Sequence, residues 1–384
     1  MTRVFLSTWG QNYNLGDSVL RRGLLQAFRG DGVALHVFVG DNDAGYLSAL
    51  GLRDTDVLYT ERDRWWRAAA GRMLAERTVL VQTAGELVLP AGSRTAGWRS
   101  VLGGALARAG GGAAVHLGAG LRDPSAPLPP LERRARRTFA QVAWRDEDTA
   151  RAFGTGDVAP DWAFGEGTEP DASGRVGPPR DDRSVMAVTL RGDRAPLTAT
   201  QVARVRAIAD EHGWTLRVFT QVRTDADRAR ELSTRLRCTA PPLVWGDESH
   251  ADWERRVRDL FARSAAVVSD RAHALIIGSS EGAIPVGLSG ASVRKVVRLL
   301  RPAGFELPEG DGDELSTYVR AMAADPRSVD VRVAAARRTV QAMAARARAL
   351  AEGVPRGVGS PASAGPHVTT SVGAGRGPVA RGRA

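Results

Sequence analysis

The chain has 384 residues, of which 43% are hydrophobic and 25% charged, more than one hydrophobic core usually organises, so two domains are expected. The net charge of +10 is carried almost entirely by arginine, with Lys295 the only lysine, which favours small anionic ligands; no basic stripe with interleaved aromatics is present, and nucleic acid is excluded as a partner. A lone cysteine, Cys238, cannot close an internal disulfide, and with no run of about 18 apolar residues and no signal-peptide core the expectation is a cytoplasmic protein, at most peripheral to a membrane.

In chain order, β-branched or apolar runs at residues 4–7, 34–39, 79–82, 113–117 and 142–144 predict strands, and residues 17–28, 65–77, 98–109 and 131–140 between them carry apolar positions at helical spacing. That alternation is the mark of a doubly wound parallel sheet. Residues 166–183, rich in Gly and Pro with almost no apolar anchor, read as a linker. Strands are predicted again at 184–190, 216–220, 243–245, 266–269 and 284–288, and the Ala- and Arg-rich stretch 334–351 predicts a long helix of the kind that often crosses back in two-lobed folds. The division is therefore an N-terminal Rossmann-like domain at 1–165, the linker, a C-terminal Rossmann-like domain with terminal helices at 184–352, and a disordered Gly, Pro, Ser and Arg tail at 353–384 in which His367 is chemically idle.

Two segments carry candidate chemistry. The first predicted strand ends in a turn that closes with Asn14-Leu15-Gly16-Asp17 before a helix. Gly16 is expected to permit the tight turn and Asp17 to cap the helix, whose free N–H groups suit an anionic or polar ligand. Neither the three-glycine dinucleotide fingerprint nor a P-loop is present. The second segment, Ser269-Asp270-Arg271-Ala272-His273, lies where a strand runs into an apolar helix. Arg271 and His273 thus fall at the carboxyl edge of a sheet, the ligand-binding edge of open α/β folds, and supply an anion clamp and a proton donor. His116, His212, His250 and His273 are scattered, without metal-ligand spacing.

These two motifs resemble those of the polysaccharide pyruvyl transferase family, whose members carry N-x-G-D at the first strand–helix turn and R-x-H before a late helix. Weaker matches follow in the same order: Thr83-Ala84-Gly85-Glu86-Leu87, His116 to Gly120, Trp144-Arg145-Asp146-Glu147, Pro160-Asp161-Trp162-Ala163-Phe164, Val188 to Arg191, Gly282 to Val286, and Lys295. The glycine turn departs from the family's pattern at Thr83 and Ala84, and the residue between Arg271 and His273 is Ala272.

The resemblance implies two Rossmann-like domains facing each other across a cleft, like the B-type glycosyltransferases (GT-B). It implies transfer of the enolpyruvyl unit of phosphoenolpyruvate onto hydroxyls of a sugar or glycan, lipid-linked or nucleotide-linked, with no cofactor and no metal. His273 is then the general acid/base with Arg271 beside it, while Arg191, Arg145 and Lys295 bind the donor, and Asn14, Gly16 and Asp17 shape the cleft or hold the acceptor. Two other readings share the layout: a nucleotide-sugar glycosyltransferase and a non-catalytic scaffold.

Overall fold

The computed structural model describes residues 1–353 apart from 91, 92, 94, 180, 181, 289–292, 311 and 326. The expected tail, from residue 354 and including His367, lies outside the described residues.

The chain begins with β1 (Thr2–Ser7), α1 (Leu15–Ala27), β2 (Val33–Phe38), α2 (Ala44–Ser48), β3 (Val57–Tyr59), α3 (Arg62–Ala75), β4 (Thr78–Gln82) and β5 (Gly85–Leu87). It continues through α4 (Trp98–Ala109), β6 (Ala113–Leu121), α5 (Pro130–Thr138), β7 (Gln141–Trp144), α6 (Glu147–Phe153) and β8 (Asp157–Val158). The strands form one sheet in the order 3-2-1-4-6-7-8, with β5 paired to β6, and every pairing is parallel. Helices cover both faces, so central strands are largely apolar: Val4, Phe5 and Leu6 are fully buried, and every residue of β6 is buried.

After a 3-10 turn at Trp162–Gly165, the second sheet is built from β9 (Val185–Thr189), α7 (Ala199–His212), β10 (Thr215–Val218), α8 (Ala226–Arg235), α9 (His250–Ala262), β11 (Ser264–Ser269), α10 (Ala272–Ser280) and β12 (Ile284–Gly287). Its order is 10-9-11-12, again all parallel. Helices α11 (Val293–Leu300), α12 (Asp313–Ala324) and α13 (Ser328–Glu352) follow. Two Rossmann-like α/β domains thus face each other across a cleft.

Strand order reverses between β1 and β4 in the first sheet and between β9 and β11 in the second. Loops leaving the carboxyl ends at such points diverge and open a crevice, which is where ligands bind in this architecture. The turn at residues 8–14 and Arg191 and Arg271 all lie at these two points.

Three expectations change. Residues 243–245 form no strand; Leu243 makes only an isolated bridge with Phe219. The segment 166–183, read as having almost no apolar anchor, is anchored among its described residues: Val176 is buried, and the Arg183 guanidinium, also buried, donates to the carbonyls of Val176 at 2.6 Å and Glu281 at 2.8 Å. Finally, the long helix begins earlier, at Ser328, and packs against α1, β1 and β4 of the first lobe. Its Met343 carbonyl accepts from Gln141 at 3.4 Å and its Leu350 carbonyl from Arg77 at 2.9 Å.

A buried ion network also ties the lobes together behind the cleft. Arg22 of α1 pairs with Glu166 at 2.5 Å and Glu254 of α9 at 2.7 Å, and Arg258 joins Glu254 at 2.9 Å to Glu281 at 2.6 Å. Burial alone would raise the Glu254 carboxyl, but Arg22 and Arg258 outweigh it and hold it at about 2. Removing one member of such a network strands a charge, at a cost of about 3–5 kcal/mol.

Candidate active site

The first lobe contributes the turn between β1 and α1. Asn14, not Asp17, is the N-cap of α1: its backbone is extended and its Oδ1 accepts from Gly16 N at 3.0 Å. The same oxygen accepts from Gln221 Nε2 at 3.1 Å, so the cap also bridges to the second lobe. Asp17 sits in the first helical turn and accepts from Gln11 N at 2.8 Å, closing the loop back on itself. The left-handed residue of the turn is Tyr13, with φ 55°.

Gly16 has another role. A Cβ placed on it would lie 2.6 Å from both Cβ and Cγ of His273. The two motifs are therefore one structure, with the N-x-G-D turn a bare surface on which the imidazole of the other lobe rests.

In the second lobe, Thr189 of β9 and Ser269 of β11 are register partners, which puts Arg191 and Arg271, each two residues further on, side by side at the crevice. Arg191 N donates to Asp270 Oδ1 at 3.0 Å, and its guanidinium grips the exposed Asp193 through two bonds of 2.8 and 2.6 Å. Arg271 is the N-cap residue of α10 and pairs with Asp225 at 2.5 Å, while Asp225 also accepts from Gly192 N at 2.8 Å. His273, the second residue of α10, is mostly buried, and its Nε2 stands 3.5 Å from Asp161 Oδ2, too far for a formed hydrogen bond.

Asp161 is the acid that His273 faces. It is fully buried and accepts from Arg145 Nη1 at 3.2 Å and from Ala163 N at 3.0 Å. Burial opposes its ionisation, but the charge of His273, Arg145 and the Ala163 amide outweigh it, and the carboxyl is held well below the usual carboxylate range. An imidazole therefore faces a carboxylate that stays ionised, itself fixed by a buried arginine.

Around this pair lies a concentration of cations. Lys295 reaches from α11 across the cleft to Glu86 Oε1 at 2.6 Å, and Arg122 pairs with the other oxygen of Glu86 at 2.7 Å. Burial lowers both Arg271 and Lys295, and the like charge of Arg191 lowers each further; Arg145 acts on Lys295 in the same sense. Arg191 also opposes the charge on Arg122, which Glu86 nonetheless holds raised. Burial would raise Glu86, yet Arg122 and Lys295 hold it at about 2. Arg271 and Lys295 thus stand within the field of Arg191, and Lys295 within that of Arg145 as well, a repulsion that a bound anion would relieve.

No family model matches the sequence, and no curated protein matches it. Solved structures do share its fold. A putative UDP-N-acetylglucosamine 2-epimerase from Listeria monocytogenes superposes with TM-score 0.57 at 12% identity, over 92% of this chain and 98% of that one. The apo lipopolysaccharide outer core galactosyltransferase WaaB gives 0.51 at 9% identity, over 92% and 100%. MnaA of S. aureus in its UDP co-structure gives 0.50 at 11% identity, over 90% and 94%. The chain has the GT-B fold, and the resemblance to pyruvyl transferases rests on the sequence motifs alone.

Of the site residues expected from the sequence, Gly16 and His273 touch, Arg145 reaches His273 through Asp161, and Arg191, Arg271 and Lys295 share the same field. None of the three expected donor-binding cations is free, since Asp193, Asp161 and Glu86 already hold them. Sequence reasoning assigned no role to Asp161, Glu86, Asp225 or Arg122. Asp161 and Glu86 stood within quoted motifs, whereas Asp225 and Arg122 had no local signal at all. Among the described residues no group of three His, Cys, Asp or Glu side chains is arranged to hold a metal.

Proposed function

We propose that the chain is a sugar-modifying transferase that moves the pyruvyl group of phosphoenolpyruvate onto two hydroxyls of a sugar, forming a ketal and releasing phosphate. The observation that carries this reading is the meeting of His273, backed by the ionised Asp161, with the cation field of Arg191, Arg271 and Lys295 at one cleft. A donor that carries a carboxylate and a phosphate ester on adjacent carbons needs several cations close together and an acid at its methylene carbon.

In the first step a sugar hydroxyl oxygen bonds to C2 of the donor while C3 takes a proton from the His273 imidazolium, and that hydroxyl's own proton passes to the departing phosphate. Asp161 holds that imidazolium in place, and positioned proton transfer of this kind is worth about 10²- to 10⁴-fold. The C2–O bond to phosphate then breaks, Arg191 and Arg271 stabilising the charge that leaves. A second hydroxyl of the same sugar bonds to C2 and its proton departs on His273 or phosphate. One phosphoenolpyruvate and one diol give one ketal and one phosphate. Asp193 and Glu86 hold Arg191 and Lys295 until the donor anion takes their place.

The test is incubation with phosphoenolpyruvate and a panel of nucleotide-linked and lipid-linked sugars, following phosphate release and a gain of pyruvate less water on the acceptor. Both signals are expected, and both vanish in His273→Ala; a His273→Ala enzyme with full turnover removes histidine from the mechanism.

A second reading, nucleotide-sugar transfer, is favoured by the fold shared with a galactosyltransferase and with epimerases. There the same cations hold a diphosphate leaving group. Calorimetric binding of UDP or GDP without binding of phosphoenolpyruvate selects it.

A further inference from the structure

Helix α4 turns the usual pattern inside out. Its buried positions are Ser100, Gly103, Gly104 and Ala107. A Cβ on Gly103 would lie 3.0 Å from the Trp66 ring and one on Gly104 3.2 Å from that of Phe139, so small residues let the helix lie close on its neighbours. The large apolar side chains point the other way. Trp98, Leu102, Ala105 and Ala109 are all exposed and recur at helical spacing along one stripe. Trp98 is 48% exposed, Leu102 40%, and Leu74 on the adjacent α3 69%. A helix of a water-surrounded domain normally buries such a stripe.

The stripe is bordered by positive charge on both sides. Helices α3 and α5 pack on α4 and expose Arg64 and Arg67, and Arg133, Arg134 and Arg137, respectively. None of these five has a carboxylate partner among the described residues. Most nearby acids are spent: Asp63 pairs with Arg99 at 3.0 Å, Glu76 with Arg3 at 2.6 Å, and Glu132 is buried against Arg136 at 2.7 Å, which leaves Glu61 at the start of α3 against five arginines.

We infer that this face docks on an anionic lipid surface, with the α4 stripe seated at the boundary between headgroups and acyl chains and the arginines of α3 and α5 on lipid phosphates. Tryptophan and leucine flanked by arginine match that boundary in polarity and charge. A second copy of the chain is the poorer occupant, because a two-fold contact through α4 sets arginine-bearing helices against arginine-bearing helices. A helix joining parallel strands runs antiparallel to them, so Trp98, at the start of α4, lies toward the carboxyl edge that borders the cleft. The docking does not depend on which reaction the cleft performs.

The full chain is tested by co-sedimentation with vesicles of phosphatidylcholine alone and of equal parts phosphatidylcholine and phosphatidylglycerol. Binding is expected only to the anionic vesicles, and it weakens with added salt. Trp98→Ser with Leu102→Glu lowers the affinity by about tenfold or more, and neutralising Arg133 or Arg134 by about fivefold each. Circular dichroism verifies that these surface variants remain folded, and should the double variant unfold, the two arginine variants carry the test. The inference is overturned if the parent protein fails to bind anionic vesicles, or if folded stripe and arginine variants bind as the parent does. A concentration-dependent dimer that Leu102→Glu dissolves, without vesicle binding, also overturns it and assigns the face to self-association.

Discussion

Gly16→Ala tests the contact that joins the two motifs. The new Cβ would stand 2.6 Å from His273 Cβ and Cγ, where carbon atoms settle at roughly 3.5 Å or more, so one partner must retreat by about 1 Å. The turn cannot do so easily, because Asn14 holds Gly16 N and is itself held by Gln221. The imidazole therefore moves relative to Asp161 and to the donor. Overpacking of this kind costs about 1–3 kcal/mol, and displacing a reacting group by 1 Å costs about 10²-fold in rate. Steady-state phosphate release should show kcat lowered about 100-fold with a far smaller change in KM for phosphoenolpyruvate. Thermal denaturation should show a lower midpoint. Adding His273→Gly removes every clashing atom, Nδ1 included, so the double variant should be as stable as His273→Gly alone. A Gly16→Ala enzyme with turnover within about twofold of the parent and an unchanged midpoint refutes the contact as a positioning device.

Asp161→Asn should lower kcat by about 10²- to 10⁴-fold with little change in KM, and lower the thermal midpoint as well because Arg145 loses its charged partner; unaltered turnover dismisses Asp161 from proton transfer. Arg191→Ala should raise KM for phosphoenolpyruvate by about tenfold or more through loss of charge-assisted hydrogen bonds, and an unchanged KM excludes Arg191 from the donor site. Glu254 links stability to acid: its carboxyl lies at about 2 against an ordinary 4.5. Its contribution, about 3 kcal/mol, is therefore present above pH 4.5 and lost as the pH falls toward 2. Arg22→Ala should raise that carboxyl and shrink the acid-sensitive window in denaturant titrations; an identical acid dependence in the variant contradicts the assignment.

The α/β class was legible because parallel strands covered on both faces read as unbroken apolar runs, as at Val4-Phe5-Leu6 and Ala266-Val267-Val268. β3, β5 and β8, two or three residues each, are too short to form a pattern, and Leu243 to Trp245 had the composition of a strand without the partners to become one. Within the site, N-x-G-D and R-x-H were visible as spacings, but nothing in either announces that Gly16 lies under His273, more than two hundred residues away. The acids were harder still. Asp161 and Asp225 look like any other carboxylates in the chain until burial and a neighbouring arginine distinguish them, and both of those are properties of the folded lobes. Asp17 was credited with a cap that Asn14 makes, because either residue type can fill that position.

The return of α13 to the first lobe has a bearing on how the protein comes into being. Val340 lies against Gly165, where an added Cβ would meet its Cγ1 at 3.0 Å, and Met343 and Ala347 are fully buried. One wall of the first lobe thus emerges from the ribosome only after the whole of the second sheet, and until then the nascent first sheet waits with that surface uncovered. Cutting the chain anywhere in 166–183 would free no self-sufficient halves, since the first would lack its wall and the second would trail an amphipathic helix whose apolar face has nothing to cover. One core cluster extends through both sheets, and a chain wired in this way should melt in one transition despite having the outline of two domains.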